Sequence, residues 1–544
     1  MRCLNSFTTN KLKTIVLALI TSLIVICLFP KINSSYADVF LVWTTPALES
    51  IGLNDRPKKS NDINLMAARG EYEAFQIVIQ APKGNLENID VVVSDLHGVN
   101  ESVISKKNIT LYREHYIYID RPSPKNWKNN PTLGVGWYPD ALIPFVNPDN
   151  GSDLTGAELD AVPFNLEPGK NQPIWVDVFV PRNTAPGEYQ GTYTVSSNHG
   201  QSTGTISLTV WDFELPLQPS LHSSFAIWKD RGATANQEVV KHKLMPRKGL
   251  VPQEIPKLIE QWGLKSLALP FWSGANYHTC RMSAAPSVAE LKNAAAEYRS
   301  ELLKYVYVYS VDEVDKCPDL EQPIKQWGKN IHEAGGIKHL VVMKPKPELY
   351  DAIDIWAVQP QMYEEAKSEI AEVMEQGDEV WFYPGYEDKY SPHWQIDSSP
   401  INFRIPQGFI SQSLGLKGVL YARIDGWSDD PEDPYAWTTD PWHKAPLYIY
   451  GKNLEFPGEG MLIYPGKEVG ISGVVPSMRL KWIRDGIEDY EYIEILKELG
   501  LEEWALDASR SIGADWKNWT KDPEQLEAVR RKLGDKIQHS INQS

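Results

Sequence analysis

The chain has little cysteine, and it lacks the motifs that bind zinc or nucleotide phosphates. Four of its 544 residues are cysteines, and their spacing matches no zinc site. No glycine-rich run follows a strand-like segment and opens a helix, which excludes the common dinucleotide-binding loop. We therefore expect neither a metal ion nor a cofactor.

Basic residues are scarce relative to acidic ones. The sequence holds 54 lysines and arginines against 71 aspartates and glutamates, which gives a formal net charge of −17. A surface that binds nucleic acid needs the opposite balance, so nucleic acid is excluded as a partner. The charge by itself identifies no substrate.

A long uncharged run lies at the N-terminus. Thr14–Phe29 carries no charge, follows Lys11 and Lys13, and precedes the small-residue stretch Ser35–Ala37. This order predicts a secretory signal peptide over residues 1–37 and a mature protein that is periplasmic or secreted. The run is slightly long for the core of a signal peptide and short for a comfortable membrane span, so an uncleaved anchor that holds the protein to the membrane is the alternative.

Cleavage of the signal would remove Cys3 and Cys27 and leave Cys280 and Cys317. Two cysteines in an oxidising compartment can form a disulfide. The sequence does not give the Cα separation that a disulfide requires. A disulfide and two separate thiols therefore both stay open.

The length allows two to four domains, and the pattern of the sequence changes near residue 218. Residues 38–217 contain short alternating runs, such as Phe75–Ile79 and Ile174–Val180, separated by proline and glycine. This pattern predicts an antiparallel β-sandwich. Residues 476–544 are expected to form C-terminal helices packed on the preceding domain, with Ser477 as the first N-cap.

Residues 218–475 alternate apolar strands with amphipathic helices, which predicts a (β/α)₈ barrel of the TIM type. An open doubly wound sheet is the alternative. The eight candidate strands are Ser223–Trp228, Ser266–Phe271, Tyr305–Val311, His339–Met343, Ile353–Val358, Glu379–Tyr383, Val419–Ile424 and Met461–Tyr464.

Two acidic residues, Asp312 and Glu313, directly follow the third of these strands. Reacting groups of such barrels lie where strands end. One carboxyl with a pKa raised by burial and by its neighbour could protonate a leaving group, while the other stays ionised. The alternative is that Asp312 caps a helix and Glu313 is solvated.

Aromatic residues gather at the same strand ends and would suit the C–H faces of a sugar. Trp381 and Tyr383 share one face of their strand by two-residue periodicity, so both point into the barrel or both point away. Arg404 could bind hydroxyls or anionic groups, although structural salt bridges are the commoner use of arginine. The remaining aromatic candidates are Trp272, Trp356 and Trp427.

The adjacency of Asp312 and Glu313 bears on the mechanism. Ordinary glycosidases place two carboxyls about 5 to 9.5 Å apart on opposite sides of the scissile bond, which sequence neighbours rarely do. The pair suits catalysis in which the 2-acetamido group of the substrate is the nucleophile. If the two-sided mechanism applies, the partner comes from another strand end, with Asp425, Glu387 and Asp388 as candidates.

Longer motifs resemble glycoside hydrolase family 123 and its mostly uncharacterised relatives. The similarity extends over nearly the whole mature chain, and the run after Pro476 is its most specific part. The motifs are Ala68–Gln76, the Val180–Tyr193 hairpin, Tyr309–Glu313, Glu379–Tyr383, Gly418–Tyr421, Leu462–Gly466, Pro476–Leu480 and Arg484–Tyr492.

This resemblance implies a glycosidase that removes terminal β-linked N-acetylhexosamine from a glycan or glycoconjugate with retention, N-acetylgalactosamine being preferred. It implies that Glu313 is the acid/base and that Asp312 orients the acetamide, with Tyr421 near the sugar. Val314 and Ala422 depart from the family pattern, which has proline and tryptophan there. A non-catalytic glycan-binding protein and a glycosidase for a non-acetamido sugar are the alternatives.

Overall fold

A computed structural model gives the fold. The predicted signal peptide and the candidates Glu387 and Asp388 lie outside the residues that it describes. Among the described helices, none is long and apolar enough to cross a bilayer. The described ranges are 40–124, 131–298, 304–385, 389–450 and 454–543.

The N-terminal part consists of two sheets that enclose one hydrophobic core. Alternate residues of each strand face this core, for example Ile77 and Val176 from the first sheet and Tyr193 and Leu208 from the second. The first sheet has the order Leu41–Pro46, Tyr72–Gln80, Asn171–Phe179, Ile109–Ile119, Gly136–Pro144. The second has the order Ile63–Arg69, Gly200–Glu214, Gly187–Ser197, Leu86–Val93, Phe164–Leu166, with Leu96–Gly98 and Val103–Ile104 beside it.

The pairing in the second sheet differs from the antiparallel expectation at one edge. Ile63–Arg69 pairs parallel with Gly200–Glu214. The chain leaves Ile63–Arg69 through a tight turn at Gly70, whose φ is +75°, and enters the other sheet. This strand therefore has no hairpin partner that would impose an antiparallel neighbour.

The middle of the chain forms a nearly closed barrel of parallel strands. The last of these strands in sequence pairs with the first, and this pairing closes one side of the sheet. The two-residue strand Ala275–Asn276 also pairs with the end of Tyr305–Asp312. In spatial order the strands are His222–Phe225, Gly418–Tyr421, Glu379–Phe382, Ile355–Val358, Lys338–Val342, Tyr305–Asp312 and Ser266–Ala268.

The eighth predicted strand, Met461–Tyr464, does not belong to the barrel. Ile463–Pro465 pairs antiparallel with Val474–Pro476 instead, so this assignment was wrong. An apolar run of four residues does not reveal which strand it pairs with.

A short segment beside the first strand takes up the remaining position of the barrel. The Phe225 N–H donates to the Met245 carbonyl at 2.9 Å, and the Arg247 N–H donates to the Phe225 carbonyl at 2.8 Å. Phe225 and Pro246 form a parallel bridge. Within the described residues, no backbone ladder joins this segment to Ser266–Ala268, and a seam is left there.

Helices connect the strands and cover the outside of the barrel, as the alternation in the sequence predicted. The coarse prediction of a multidomain chain with strand-rich, barrel and helical parts is confirmed. Among the described residues, the α-helices before the C-terminal part are Ala233–Lys241, Ile255–Trp262, Val288–Tyr298, Glu321–Ala334, Pro360–Glu365, Lys367–Gln376, Ile401–Ile405 and Ser411–Leu414, the last two joined by the π-helical turn Pro406–Ile410.

The first C-terminal helix, Met478–Glu498, lies between the two domains. It begins as predicted, because the Ser477 hydroxyl accepts the Leu480 N–H at 3.2 Å. Most of its residues are buried, including charged ones. Arg484 donates to both oxygens of Asp177 at 2.9 Å. The helices Glu502–Ile512 and Pro523–Ile541 follow.

Candidate active site

A β-bulge directs Asp312 into the barrel mouth. Tyr305, Tyr307 and Tyr309 point into the barrel interior, where they contact the interior cluster. Tyr309 pairs with Leu340 but Val311 already pairs with Val341, so Ser310 is an extra residue in the ladder. A bulge shifts the alternation by one residue. Val311 therefore packs outside and Asp312 faces the mouth.

Two buried side chains fix the bulge at Ser310. The Ser273 hydroxyl donates to the Ser310 carbonyl at 2.5 Å. The Ser310 hydroxyl lies 2.6 Å from Nε2 of His339, whose Nδ1 lies 2.6 Å from the Ala352 carbonyl. Burial lowers the pKa of His339 to about 4, so its ring is neutral. Nδ1 then donates to the carbonyl, and Nε2 accepts from Ser310.

Glu313 adopts a backbone conformation that is rare for a residue with a side chain. Its φ is +55°, a region that costs most residues free energy and that recurs at functional sites. Its N–H donates to the Val342 carbonyl at 2.8 Å. Nε2 of Gln359 donates to Oε1 of Glu313 at 2.6 Å, and Gln361 in turn donates to Gln359. Glu313 thus faces the end of Ile355–Val358.

Asp312 faces a different side of the barrel mouth. Burial raises the pKa of Asp312, while a hydrogen bond from Tyr309 and the charge of Arg247 oppose that rise. Its Oδ1 is buried and has no hydrogen-bond partner within the part of the chain that the structure describes. A buried acceptor without a donor is costly unless a ligand supplies one.

A cavity of about 530 Å³ opens beside Asp312. Three of its lining aromatics, Trp228, Trp272 and Tyr309, come from different strands of the barrel or from the loops after them. Trp228 and Trp272 are 42% and 46% exposed, and the Trp272 and Tyr309 ring centroids lie 5.3 Å apart. The cavity therefore offers exposed ring faces next to a carboxylate, as a glycan pocket requires.

A disulfide joins two of the loops at this mouth. Cys280 and Cys317 are bonded, with their Cα atoms 5.4 Å apart. Cys280 follows Ala275–Asn276, and Cys317 lies four residues beyond Glu313. The open question of the two cysteines is thus answered by a bond that ties the loop after the second strand to the loop of the acidic pair.

We expect the double substitution Cys280→Ser with Cys317→Ser to destabilise the protein by about 3 to 4 kcal/mol, because the bond closes a loop of 37 residues and limits the unfolded chain. Chemical denaturation followed by tryptophan fluorescence measures this loss. Reductant should lower the denaturation midpoint of the natural protein but leave that of the variant unchanged. If the variant without reductant has the same denaturation midpoint as the natural protein, the prediction is contradicted.

The structure brings only some of the predicted sugar-binding residues to the cavity. Trp272 lines it. Tyr383 and Trp381 both point into the barrel interior, as the shared-face argument allowed. Trp381 is buried deeper, where its ring stacks on His222 and its Nε1 donates to Glu379, so it cannot touch a sugar at the mouth.

Three further aromatic candidates have structural roles away from the cavity. Trp356 faces the outer layer, where its Nε1 donates to Asp378 at 2.9 Å. The Tyr421 hydroxyl donates to Glu459 at 2.9 Å on the outer face of its strand. Trp427 is buried and donates to a backbone carbonyl. The sequence does not show which face of a strand points inward, so it could not separate these residues from those that line the cavity.

The two polar candidates, Arg404 and Asp425, form buried interactions away from the cavity. Arg404 forms buried ion pairs with Asp489 and Glu527, both at 2.7 Å. Asp425 is fully buried and accepts hydrogen bonds from the backbone N–H groups of Trp228 and Lys229 at 2.9 and 3.0 Å. Asp425 therefore organises the loop after the first strand.

Sequence reasoning missed four residues of the site, Arg247, Gln359, Trp228 and Tyr309. Arg247 lines the cavity, donates to the Ala422 carbonyl at 2.9 Å and lies 4.8 Å from the Tyr309 ring centroid. Gln359 contacts Glu313, and Trp228 donates to the Ala422 carbonyl at 2.7 Å. Trp228 was the last residue of a predicted strand, and this position was a signal for a site residue. Tyr309 lay inside another predicted strand and gave no such signal. Arg247 had no such signal, because its segment was not recognised as a strand.

Among the described residues, no three histidine, cysteine, aspartate or glutamate side chains are grouped so as to hold a metal ion.

Comparison with known proteins relates the chain to glycoside hydrolases. Residues 53–197 match the model of the glycoside hydrolase 123 N-terminal domain. The fold is similar to that of a family 123 glycoside hydrolase from Clostridium perfringens, described in connection with glycolipid glycan hydrolysis. The TM-score is 0.59 at 15% identity, over 93% of this chain and 98% of that one. The resemblance to family 123 indicated by the motifs is thereby confirmed.

Other likenesses are weaker. A GH2 β-galacturonidase from Eisenbergiella tayi is 9% identical, with a TM-score of 0.30 over 77% of this chain and 69% of that one. A β-glucuronidase from Parabacteroides merdae is 9% identical, with a TM-score of 0.27 over 77% and 52%. These two carry no argument here. No curated protein matches the chain by sequence.

Proposed function

We propose that the protein is a retaining glycosidase that removes terminal β-linked N-acetylhexosamine by substrate-assisted catalysis, with N-acetylgalactosamine as the preferred sugar. One observation carries the proposal. Asp312 and Glu313 are neighbours at the barrel mouth, yet the bulge and the positive φ of Glu313 turn them toward different surroundings. Each carboxyl can therefore serve a different atom of one bound sugar.

In the first step, Asp312 accepts the N–H of the 2-acetamido group on its unpartnered Oδ1. The acetamide carbonyl oxygen attacks C1 as Glu313 gives its proton to the glycosidic oxygen, and the C1–O bond to the leaving group breaks. An oxazolinium intermediate forms, and the charge of Asp312 stabilises it. In the second step, Glu313 takes a proton from water, which attacks C1 and restores the acetamide with net retention.

The surroundings of Asp425 favour this mechanism over one with a nucleophile on another strand. The Asp425 carboxylate has no exposed surface and is held by two backbone N–H groups and by Arg231, at 3.2 Å. A carboxylate that is fully hydrogen-bonded and buried is poorly placed to attack a sugar. Substrate assistance needs no second protein nucleophile.

We further propose that the protein acts outside the cytoplasm, as the N-terminal sequence predicts. The Cys280–Cys317 bond supports this location, because structural disulfides persist in oxidising compartments and are rare in the cytosol.

Chromogenic substrates test the proposed reaction. The 4-nitrophenyl glycoside of β-N-acetylgalactosamine should be hydrolysed, and the corresponding β-galactoside should not, because it lacks the acetamide nucleophile. NMR of the first product should show the β-anomer, which is the retained configuration. Equal hydrolysis of the β-galactoside, or an α-anomer as first product, would overturn the mechanism.

We expect Tyr309→Phe to move the acidic limb of the kcat/KM profile to higher pH. Asp312 acts in its ionised form, and the Tyr309 hydrogen bond lowers the pKa of Asp312. Loss of that bond raises this pKa, so activity is lost at a higher pH on acidification. Measurement of kcat/KM across the acid range reads the shift.

Tyr305→Phe is the matched control for Tyr309→Phe. Tyr305 lies in the same strand and donates to Glu379 at 2.7 Å, at the other end of the barrel. Its removal breaks a tyrosine–carboxylate bond away from the site and should leave the acidic limb in place. An equal shift in both variants would assign the effect to the strand rather than to Asp312.

A further inference from the structure

The cavity has a polar part and an apolar part. Asp312, Arg247, Lys248 and Asn276 line the polar part. The apolar part follows the seam between the Met245–Arg247 segment and the second strand, where no backbone ladder is present among the described residues. Its lining residues are Leu250, Leu267, Ala268, Leu269, Pro270 and Phe271.

Short side chains leave the cavity open. Ala226, Ala268 and Ala422 each contribute only a methyl group to the lining. Leu267 and Leu269 are 3% exposed, so the wall behind these residues is well packed. The cavity volume of about 530 Å³ lies in the range that holds drug-sized ligands. This volume is larger than one N-acetylhexosamine occupies.

The two carboxyl groups show on which side of the sugar the extra room lies. Asp312 lines the cavity, whereas Glu313 and its partner Gln359 do not contribute to the lining. In the proposed mechanism Glu313 protonates the leaving-group oxygen and Asp312 holds the amide N–H. The apolar room is therefore on the amide side and not on the leaving-group side.

We propose that the apolar part is an acyl subsite, which accepts amino sugars whose N-acyl chain is longer than acetyl. This inference rests on the proposed function, because Asp312 must hold the amide for the chain to point along the seam. Each buried methylene improves binding by about fourfold. An N-butanoyl group adds two methylenes to the acetyl group and should fit without loss of rate.

A substrate series tests the subsite. The 4-nitrophenyl β-galactosaminides with N-acetyl, N-propanoyl and N-butanoyl groups are compared by kcat/KM. We expect the N-butanoyl value to be at least equal to the N-acetyl value. A smaller ratio would show a pocket closed after the acetyl methyl and would overturn the inference.

Two neighbouring residues provide a variant and its control. Leu250→Trp places an indole in the apolar part and should lower the N-butanoyl to N-acetyl ratio at least tenfold. Val251 is 43% exposed and does not line the cavity, so Val251→Trp should leave the ratio unchanged. An unchanged ratio in Leu250→Trp would exclude the seam as the place of the acyl chain.

Alkyl β-glycosides of N-acetylgalactosamine separate the acyl subsite from a site for an apolar leaving group. The ratio of kcat/KM for the octyl glycoside to kcat/KM for the methyl glycoside should be the same in the natural protein and in Leu250→Trp. If the octyl glycoside is favoured and Leu250→Trp removes that advantage, the apolar part holds the leaving group and the inference is wrong.

Binding keeps the inference testable if none of the substrates is hydrolysed. Trp228 and Trp272 line the cavity, so tryptophan fluorescence reports titration with free N-acetyl- and N-butanoyl-galactosamine. Without hydrolysis the proposed function fails, while N-butanoyl binding at least as tight as N-acetyl binding upholds the subsite. If N-butanoyl-galactosamine binds more weakly than N-acetylgalactosamine, the acyl subsite is contradicted as well as the proposed function.

Discussion

Glu313→Gln should lower kcat/KM on 4-nitrophenyl β-N-acetylgalactosaminide by about a thousandfold, which is typical for loss of a general acid/base. The amide keeps the shape of the side chain and can still contact Gln359, but its N–H groups are too weakly acidic to protonate the glycosidic oxygen. The measurement is the rate of nitrophenol release by the purified variant.

Two comparisons make this result specific. A 2,4-dinitrophenyl leaving group departs without protonation, so the first step in Glu313→Gln should be impaired much less on that glycoside. Glu365→Gln changes an exposed carboxylate paired with Lys344 and should keep full activity. If Glu313→Gln also keeps full activity, the assignment of the acid/base is wrong.

Arg484→Met should destabilise the protein by about 3 to 5 kcal/mol, because it leaves a buried carboxylate without its main partner. Burial by itself would raise the pKa of Asp177, but the charges of Arg484 and Lys481 outweigh burial and hold it well below its ordinary value. Chemical denaturation at neutral pH measures the loss.

The pH dependence of this loss has a definite sign. Asp177 has a depressed pKa in the folded protein, so its ion pairs stabilise above the ordinary aspartate pKa and stop doing so as pH falls through the depressed value. The difference between the natural protein and Arg484→Met should therefore shrink in strong acid. Arg510→Met removes an exposed pair with Asp507 and should cost less than about 0.5 kcal/mol. Equal losses in the two variants would contradict the burial argument.

The sequence predicted the place of the acidic pair but not its geometry. Tyr305, Tyr307 and Tyr309 alternate, and continued alternation would point Val311 inward and Asp312 outward. Ser310 reverses that outcome because it is an extra residue in the ladder. Such a bulge depends on Ser273 and His339, which are distant in sequence, so no local pattern could reveal it.

Barrel strands were predicted well where apolar runs and helices alternate, and poorly where pairing alone defines a strand. Met461–Tyr464 had the composition of a barrel strand but pairs elsewhere. The segment Met245–Arg247 contains a proline and a charged residue, and it forms two backbone hydrogen bonds with the first strand. Arg247 was overlooked for this reason, and with it the charge opposite Asp312.

Buried arginines show the same limit of local patterns. Arg479 lies in a helix whose start at Ser477 was predicted, yet its guanidinium is buried and pairs with Asp140 at 2.7 Å. Asp140 belongs to the N-terminal sheets, far away in the sequence. Only the packed structure shows that such charges have partners.

The helix Met478–Glu498 also limits how this gene could be divided. Asp140 and Asp177 belong to the N-terminal sheets, and their cationic partners Arg479 and Arg484 come from the far end of the chain. A fragment that stops before the barrel would keep these carboxylates and lose the cations that compensate them. The N-terminal sheets therefore depend on the last part of the chain for their stability, and we expect such a fragment to be less stable than the same sheets in the whole protein.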